Sequence, residues 1–291
     1  MLIDTLVLSG GGPSGIAYTG IYQALLDNKI IDKELTGIKE IITTSIGILF
    51  SFCLLIGLEN RVVYEVVKGF DVGSMVQIDN LCIDDFLVDF GLFPTTGIRQ
   101  IFQSLVKNVL KREDISLREL YEFKAIKLSV KVFNTTKKQI EYISYENYPD
   151  LSVIILAEMT TAIPIFFKPV QYNDNLYIDG GLRGSFPIEH CTSEDYLGIF
   201  IDGCTTNFFQ DSVIGHLFPI IEYMYSLLVE QDQIVYDLKR GEIDPRIICS
   251  KVRLGLNFEI DEDTKDKIIR KGYEDTLEYI REHELVNGHV R

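Results

Sequence analysis

The stretch LVLSGGGPSGIAYTGIYQALLD, residues 6–27, decides how the rest of the chain is read. An apolar run breaks at Gly10-Gly11-Gly12-Pro13-Ser14-Gly15, and a helical spacing follows through Ile16, Ile21, Ala24 and Leu25. A strand that turns through glycines into a helix presents bare backbone N–H groups to an anion. Next come IKEIITT, residues 38–44, as a second strand and SIGILFSFCLLIGL, residues 45–58, as a buried helix. Strand, helix, strand, helix at this spacing predicts an α/β fold with a parallel sheet.

Outward from that unit, PTTGIRQIFQSLVKNVLKR (94–112) has the spacing of an amphipathic helix with a threonine at its start. KLSVKVFNTTKKQIEYIS (127–144) alternates on both sides of a polar turn and predicts strand, turn, strand. PDLSVIILAEMTTAIP (149–164) predicts a helix that ends before Pro164. NLYIDGG (175–181) and YLGIFIDG (196–203) read as strands. Beyond Gly203 the patterns are mostly helical, as in 212–241 and the charged amphipathic segment 264–283. No composition break divides the chain. The expected arrangement is a core over 1–203 with a mostly helical part, 204–291, packed on the same domain.

The chain has 28 Lys and Arg against 43 Asp and Glu, a formal charge of -15. Nucleic acid is therefore not an expected partner, because phosphate contacts need a basic face. The same balance argues against docking to anionic lipid through a polybasic patch. Cys53, Cys82, Cys191, Cys204 and Cys249 are scattered without a paired spacing, so they read as small apolar residues in a reducing compartment. No metal site is expected. Met1 to Thr5 run directly into the first strand without a leader pattern, so no signal peptide is expected. The longest apolar run, Ile46 to Leu58, is shorter than the roughly 20 residues of a spanning helix. The expected location is cytoplasmic, at most peripheral to a membrane.

Two anions fit the glycine loop. Gly10-x-Gly12-x-x-Gly15 matches a dinucleotide fingerprint, but that reading needs a carboxylate at the tip of the second strand. Thr43-Thr44-Ser45-Ile46-Gly47 stands there instead. A serine between a strand and a buried helix, with Thr43 two residues before it and Gly47 two after it, is most of a nucleophile elbow. The loop beside it then serves a tetrahedral oxyanion rather than a pyrophosphate. Taken alone, Ser45 is also an ordinary helix-capping serine. The order of loop and serine on consecutive strand tips is what favours acyl transfer.

A nucleophilic serine needs a base. Of His190, His216, His283 and His289, only His190 stands in a plausible place, and a surface role suits it better. Asp179 in LYIDGGLRGSFPI, a carboxylate at a strand end before two glycines, is the stronger candidate; a plain Asp-Gly turn is the other reading.

At this point the chain resembles the patatin-like phospholipases, which use a Ser–Asp dyad. Over roughly the first 200 residues, LVLSGGGPSGIAYTGIYQAL resembles the family's oxyanion block and TTSIG its elbow. FGLFPTTGIRQIFQSL, MTTAIPIFFKPV and YIDGGLRGSFPI resemble three further blocks in the family's order. The resemblance implies a three-layer α/β/α sandwich with a mostly parallel central sheet and extra helices in the C-terminal third. It implies hydrolysis of acyl esters of phospholipids or other lipids at a membrane or micelle surface, with no cofactor and no metal. Ser45 would attack the ester and Asp179 would carry the proton. Gly10, Gly11, Gly12 and Gly15 would shape the oxyanion loop. IPIFFKP, with Ile165 and Phe166, and FGLF, from Phe90 to Phe93, are the candidate contacts for the acyl chain; core packing is the other reading of both, and for Ile165 and Phe166 the two readings stand level. Two residues depart from the family pattern: Thr43 stands where the elbow has glycine, and Ser14 where a basic residue is usual. A degenerate member that binds lipid or a partner without turnover is the alternative. No activating protein is legible in the sequence.

Overall fold

The computed structural model describes residues 3–69, 91–202, 244–252, 254 and 260–283. The helical pattern expected over 212–241, Phe90, Cys82, Cys204, His216 and His289 lie outside the described residues.

Strand β1 (Thr5–Leu8) is buried throughout, as a strand covered on both faces must be. Its Leu6 and Leu8 enter a larger apolar cluster and Val7 enters a smaller one. A 3-10 turn over Gly12–Ile16 leads into helix α1 (Ala17–Asp27). Strand β2 (Glu40–Thr44) lies parallel to β1, with Thr43 opposite Leu8. Helix α2 (Gly47–Leu55) follows, and every one of its residues is buried, which is why its sequence shows no polar face.

Helix α3 (Asn60–Gly69), strand β3 (Gly91–Phe93) and helix α4 (Thr96–Leu105) come next, the last extended by a π turn over Val106–Leu110. Helix α5 (Leu117–Lys124) opens with a capping box: Ser116 Oγ accepts from the Glu119 N–H, and the Glu119 carboxylate accepts from the Ser116 N–H. Strands β4 (Lys127–Asn134) and β5 (Gln139–Ile143) form the expected antiparallel hairpin. Helix α6 (Val153–Thr161) is capped by Ser152. Strand β6 (Ile165–Phe167) pairs with β3 in a separate two-stranded sheet. Strands β7 (Val170–Tyr172) and β8 (Asn175–Asp179) form a second hairpin, and β9 (Tyr196–Ile201) returns to lie beside β1.

The part beyond Gly203 is not purely helical. Strand β10 (Ile247–Ser250) extends the main sheet alongside β9, and helix α7 (Glu262–Glu282) packs on α1. The main sheet runs β10-β9-β1-β2-β4-β8-β7, with β5 on β4. Its pairings from β10 to β4 are parallel, and β5, β8 and β7 add antiparallel ones. The fold is thus α/β with a mostly parallel central sheet, as the strand and helix order predicts.

All seven described α-helices feed the larger cluster. The smaller one joins Val7, Ile42, Phe200 and Ile247 to Phe186 and Ile188 of the segment after β8. One edge of β4 serves two strands. Residues 127–131 pair with β2, ending at Thr44 opposite Lys131, and residues 132–134 pair with β8, with Asp179 opposite Val132.

Helices α1 and α7 touch backbone to backbone. A Cβ on Gly20 would lie 1.8 Å from the Ile269 carbonyl oxygen, and one on Gly272 would lie 2.4 Å from that of Ala17. No side chain can give way there. Gly20→Ala is therefore expected to cost about 2 kcal/mol or more in spite of alanine's better helix propensity, read as a lower urea midpoint.

Candidate active site

Ser45 follows the last residue of β2 and sits at φ 51°, in the left-handed region that a non-glycine residue enters at a cost of about 1 kcal/mol or more. Three bonds hold it there. Its N–H donates to Thr160 Oγ1 at 2.8 Å, and Thr160 Oγ1 in turn donates to the Lys131 carbonyl at 2.8 Å. Its carbonyl accepts from the Ile48 N–H at 3.0 Å, which starts α2. The turn aims Oγ out of the sheet at the N-terminus of a buried helix, where backbone N–H groups favour negative charge.

Ser45 Oγ donates to Asp179 Oδ2 at 2.6 Å. The other carboxylate oxygen, Oδ1, accepts from the Gly181 N–H at 2.7 Å. Asp179 is fully enclosed, and burial pushes its carboxyl up to about 7, against the opposing pull of the Ser45 and Gly181 hydrogen bonds and of the Lys131 charge. A serine and a carboxylate in direct contact leave no place for an imidazole between them. His190 instead stacks flat on Tyr142, with ring centroids 3.8 Å apart, and its burial lowers its pKa. His283 bonds to the Tyr279 carbonyl on the C-terminal helix.

The glycine loop lies against the serine: a Cβ on Gly10 would stand 3.0 Å from Ser45 Cβ. The Gly10 N–H donates to the Ser185 carbonyl at 2.8 Å, and Gly12 is at φ 50°. Among the described residues, the N–H groups of Gly11 and Gly12 donate to no backbone carbonyl. Ser9 anchors the base of the loop by accepting from the Ile201 N–H at 2.9 Å and taking the Tyr18 hydroxyl on its carbonyl at 2.7 Å. Gly15 abuts Ile46, so that a Cβ on it would stand 2.6 Å from Ile46 Cγ2. Ser14, where a basic residue was the expected pattern, is buried and accepts from the Leu254 N–H at 3.3 Å.

Thr43 and Gly47 share one gap. A Cβ on Gly47 would come within 2.3 Å of Thr43 Oγ1 and 2.8 Å of the Ser9 carbonyl oxygen. The Thr43 hydroxyl is buried without a hydrogen-bond partner. The threonine that departs from the elbow pattern thus fits only because Gly47 is bare.

An apolar cavity of about 60 Å³ opens beside Ser45. Gly12 and Pro13 form one side; Leu49, Phe50, Val66 and Val67 come from α2 and α3; Ile98 and Ile101 come from α4; Thr161, Ile163 and Phe167 close it. Ile165 and Phe166, the residues expected there, are not on its wall. Phe166 is buried elsewhere, and Ile165 sits at φ 73°, so the wall falls to Ile163 and Phe167, on either side of them. The α4 wall is fixed to α6 by Glu158, which accepts from Thr95 Oγ1 at 2.8 Å and pairs with the Arg99 guanidinium. The sequence carried no signal for Thr160, Lys131 or Glu158, whose partners lie on distant elements. Among the described residues, no three His, Cys, Asp or Glu side chains cluster as metal ligands would, and no helix is long and apolar enough to cross a membrane.

Comparison with known proteins identifies the family and the fold. The sequence model of the patatin-like phospholipases matches residues 6–192. A probable lipid hydrolase, 463L, of Invertebrate iridescent virus 6 is 31% identical over 185 residues, which are 64% of this chain and 62% of that protein. An uncharacterized protein of Acanthamoeba polyphaga mimivirus is 22% identical over 64% of this chain and 60% of its own length. The chain thus spans about three fifths of these relatives. Among solved structures, VipD from Legionella pneumophila superposes with a TM-score of 0.64 at 18% identity, covering 97% of this chain and 67% of VipD. ExoU in its complex with SpcU from Pseudomonas aeruginosa gives 0.53 at 13% identity, covering 97% of this chain and 52% of that one. At these identities the two structures speak for the fold.

Two substitutions separate the bonds that hold the elbow from the one that is missing. Thr160→Val leaves the Ser45 N–H and the Lys131 carbonyl without their shared partner and should cost about 1–3 kcal/mol. Thr43→Val keeps the shape and removes an unpaired buried hydroxyl, so it should leave stability unchanged or raise it by up to about 1 kcal/mol. Chemical denaturation of both variants checks the contrast.

Proposed function

The chain belongs to the patatin-like phospholipase family, and on that premise we propose that it is a lipid acyl hydrolase in which Ser45 is the nucleophile and Asp179 its base. The observation that carries the reading is the 2.6 Å bond from Ser45 Oγ to Asp179 Oδ2, made by a serine at φ 51° on the wall of an apolar cavity. An ester whose acyl chain enters that cavity brings its carbonyl to Oγ. Burial of the chain favours binding by about 0.8 kcal/mol per CH₂.

As Oγ attacks the carbonyl carbon, Asp179 Oδ2 takes its proton. The oxygen that becomes negative meets the open N–H groups of Gly11 and Gly12, which need no reorganisation to receive it. Collapse of the tetrahedral intermediate breaks the ester C–O bond, and Asp179 returns the proton to the departing alcohol. An acyl-serine remains. Water then attacks the acyl carbon, giving a proton to Asp179; collapse breaks the acyl C–Oγ bond, Asp179 returns that proton to Oγ, and the fatty acid leaves with Ser45 and the carboxylate restored. A carboxyl held at about 7 by burial suits both halves, because it gains and loses a proton near neutrality. The substrate class is an acyl ester of a phospholipid or another lipid, presented at a membrane or micelle surface.

A fluorophosphonate probe tests the nucleophile: wild type should be labelled and Ser45→Ala should not, with hydrolysis of a short-chain ester lost and Tm nearly unchanged. Labelling at another residue, or turnover by Ser45→Ala, would remove Ser45 from the mechanism.

The Asp179 carboxyl adds a pH dependence of known sign. Only the carboxylate accepts the serine proton, so kcat/KM should rise with pH and level off above about 7. Stability should run the other way. The folded carboxyl keeps its proton to about 7, whereas the unfolded one loses it near 3.8, so its contribution is full below the unfolded value and lost as pH rises through the folded one. Asp179→Asn should therefore abolish activity yet melt several degrees above wild type at pH 8, with the gap closing toward pH 4. A gap that is the same at both pH values would refute the buried, raised carboxyl.

A further inference from the structure

We propose that Lys131 is the positioning residue of this site: its buried ammonium binds the backbone that follows Asp179, and so sets the place of the carboxylate and of the first glycine of the loop. The inference rests on the reading of Ser45 and Asp179 as the reacting pair.

Lys131 lies on β4 opposite the turn after β8, and its side chain is 1% exposed. A lysine is almost never that buried without partners for its charge. This one has three, one for each N–H: Nζ donates to the Arg183 carbonyl at 3.0 Å, to the Gly184 carbonyl at 3.0 Å and to Glu189 Oε1 at 2.5 Å. The next residue in that segment, Ser185, gives its carbonyl to the Gly10 N–H. One ammonium thus fastens the segment between Asp179 and the glycine loop. The backbone of the same residue serves the other side of the site, because its carbonyl accepts from Thr160 and Thr44 hydroxyls, and Thr160 holds the Ser45 N–H.

The Asp-Gly-Gly block is built around this lysine. A Cβ on Gly180 would lie 2.5 Å from the Lys131 carbonyl oxygen and 2.8 Å from Lys131 Cγ. Gly180 is bare so that the lysine can pass over it, while Gly181 supplies the N–H that Asp179 accepts.

Lys131 touches no reacting atom, so it acts through Asp179. Its positive charge favours the carboxylate against the push of burial. Few other charges face that carboxylate. The glycine loop and α2 carry no charged residue. Glu158 on α6 is already paired with Arg99, and Arg183 in the turn after Asp179 is exposed. Glu189 lies on the far side of the ammonium, also takes the Tyr142 hydroxyl at 2.7 Å, and is half exposed. Its negative charge offsets part of the effect of Lys131. Removing one or the other charge must move Asp179 in opposite directions.

The experiment compares Lys131→Met, Glu189→Gln and Ser45→Ala on p-nitrophenyl butyrate, with Tm measured for each. Ser45→Ala should be inactive. Lys131→Met should lose at least tenfold in kcat with KM within about threefold, and the acid limb of its kcat/KM profile should move up by half a pH unit or more. Glu189→Gln keeps an acceptor for Nζ and removes only the charge, so it should fold like wild type and move the acid limb down by a few tenths of a unit. If Lys131→Met does not fold, the downward shift in Glu189→Gln decides alone. Folded variants whose acid limbs coincide with wild type, beside an inactive Ser45→Ala, would overturn the role of Lys131 and leave the Ser–Asp pair standing. Turnover by Ser45→Ala would overturn the pair and this inference with it.

Discussion

Strand β4 hands one edge from β2 to β8, and the site depends on that handover. Thr44 pairs with Lys131 and Asp179 with Val132, so two strands that run in opposite directions end against neighbouring residues of the same partner. Neighbouring residues of a strand are about 3.3 Å apart. The residue after Thr44 and the last residue of β8 must therefore arrive within side-chain reach of each other, whatever the sequence distance between them. Ser45 and Asp179 do arrive so, at 2.6 Å. A slip of one residue in the β8 register would turn Asp179 to the opposite face of the sheet and leave Ser45 with no acceptor. The hydrophobic alternation of β4, with Leu128, Val130 and Val132 in the large cluster, guards against that slip.

The arrangement costs free energy at both members. Ser45 occupies a backbone region that suits glycine, and Asp179 carries a carboxyl that burial disfavours as an anion. Each cost is met partly by a local bond, Ile48 N–H to the Ser45 carbonyl and Gly181 N–H to Asp179 Oδ1, and partly by groups anchored elsewhere: Thr160 from α6 for the serine amide and the charge of Lys131 from the neighbouring strand. The distant groups belong to the central sheet and to a packed helix, so they are in place before anything binds, which suits the acyl transfer proposed above.

How far the sequence discloses all this follows from the range of each interaction. β1, β2, β4, β5, β8 and β9 are legible because they are apolar or alternating runs long enough to show a period. β3, β6 and β7, of three residues each, are too short to show one. β10 is a four-residue apolar run in a stretch otherwise read as helical. Ser45, Asp179 and the glycine loop are legible because each makes its turn with its own neighbours. Thr160 and Lys131 are not, since what matters about them is a bond across the sheet to a residue far away in sequence. Lys131, on the face of β4 opposite the apolar one, has the look of a solvent-facing lysine; only the register of β8 shows that a turn covers it. The wall of the cavity beside Ser45 shows the same limit. The apolar content of IPIFFKP was visible, but the left-handed backbone at Ile165 decides which of its side chains reach the cavity, and that puts Ile163 and Phe167 there.

The bracing of the site extends past the region that matches the family model. That region ends at residue 192, yet β1 is paired on one side only by β2 from within it. Its other edge is filled by β9, whose Ile201 N–H holds Ser9 at the base of the glycine loop. β10 covers β9, and α7 meets α1 at a contact so close that both helices need a glycine. Leu254 reaches back to the buried Ser14 inside the loop itself. The loop that faces Ser45 is therefore braced from two directions: by the turn after Asp179, through Ser185 and Gly10, and by the C-terminal part, through Ser9, Ser14 and α1. At the position where the family resemblance implies a basic side chain, a small serine ties the loop to the C-terminal part. The loop is thereby made a joint product of the two parts of the chain, and its shape cannot be set by the first part alone.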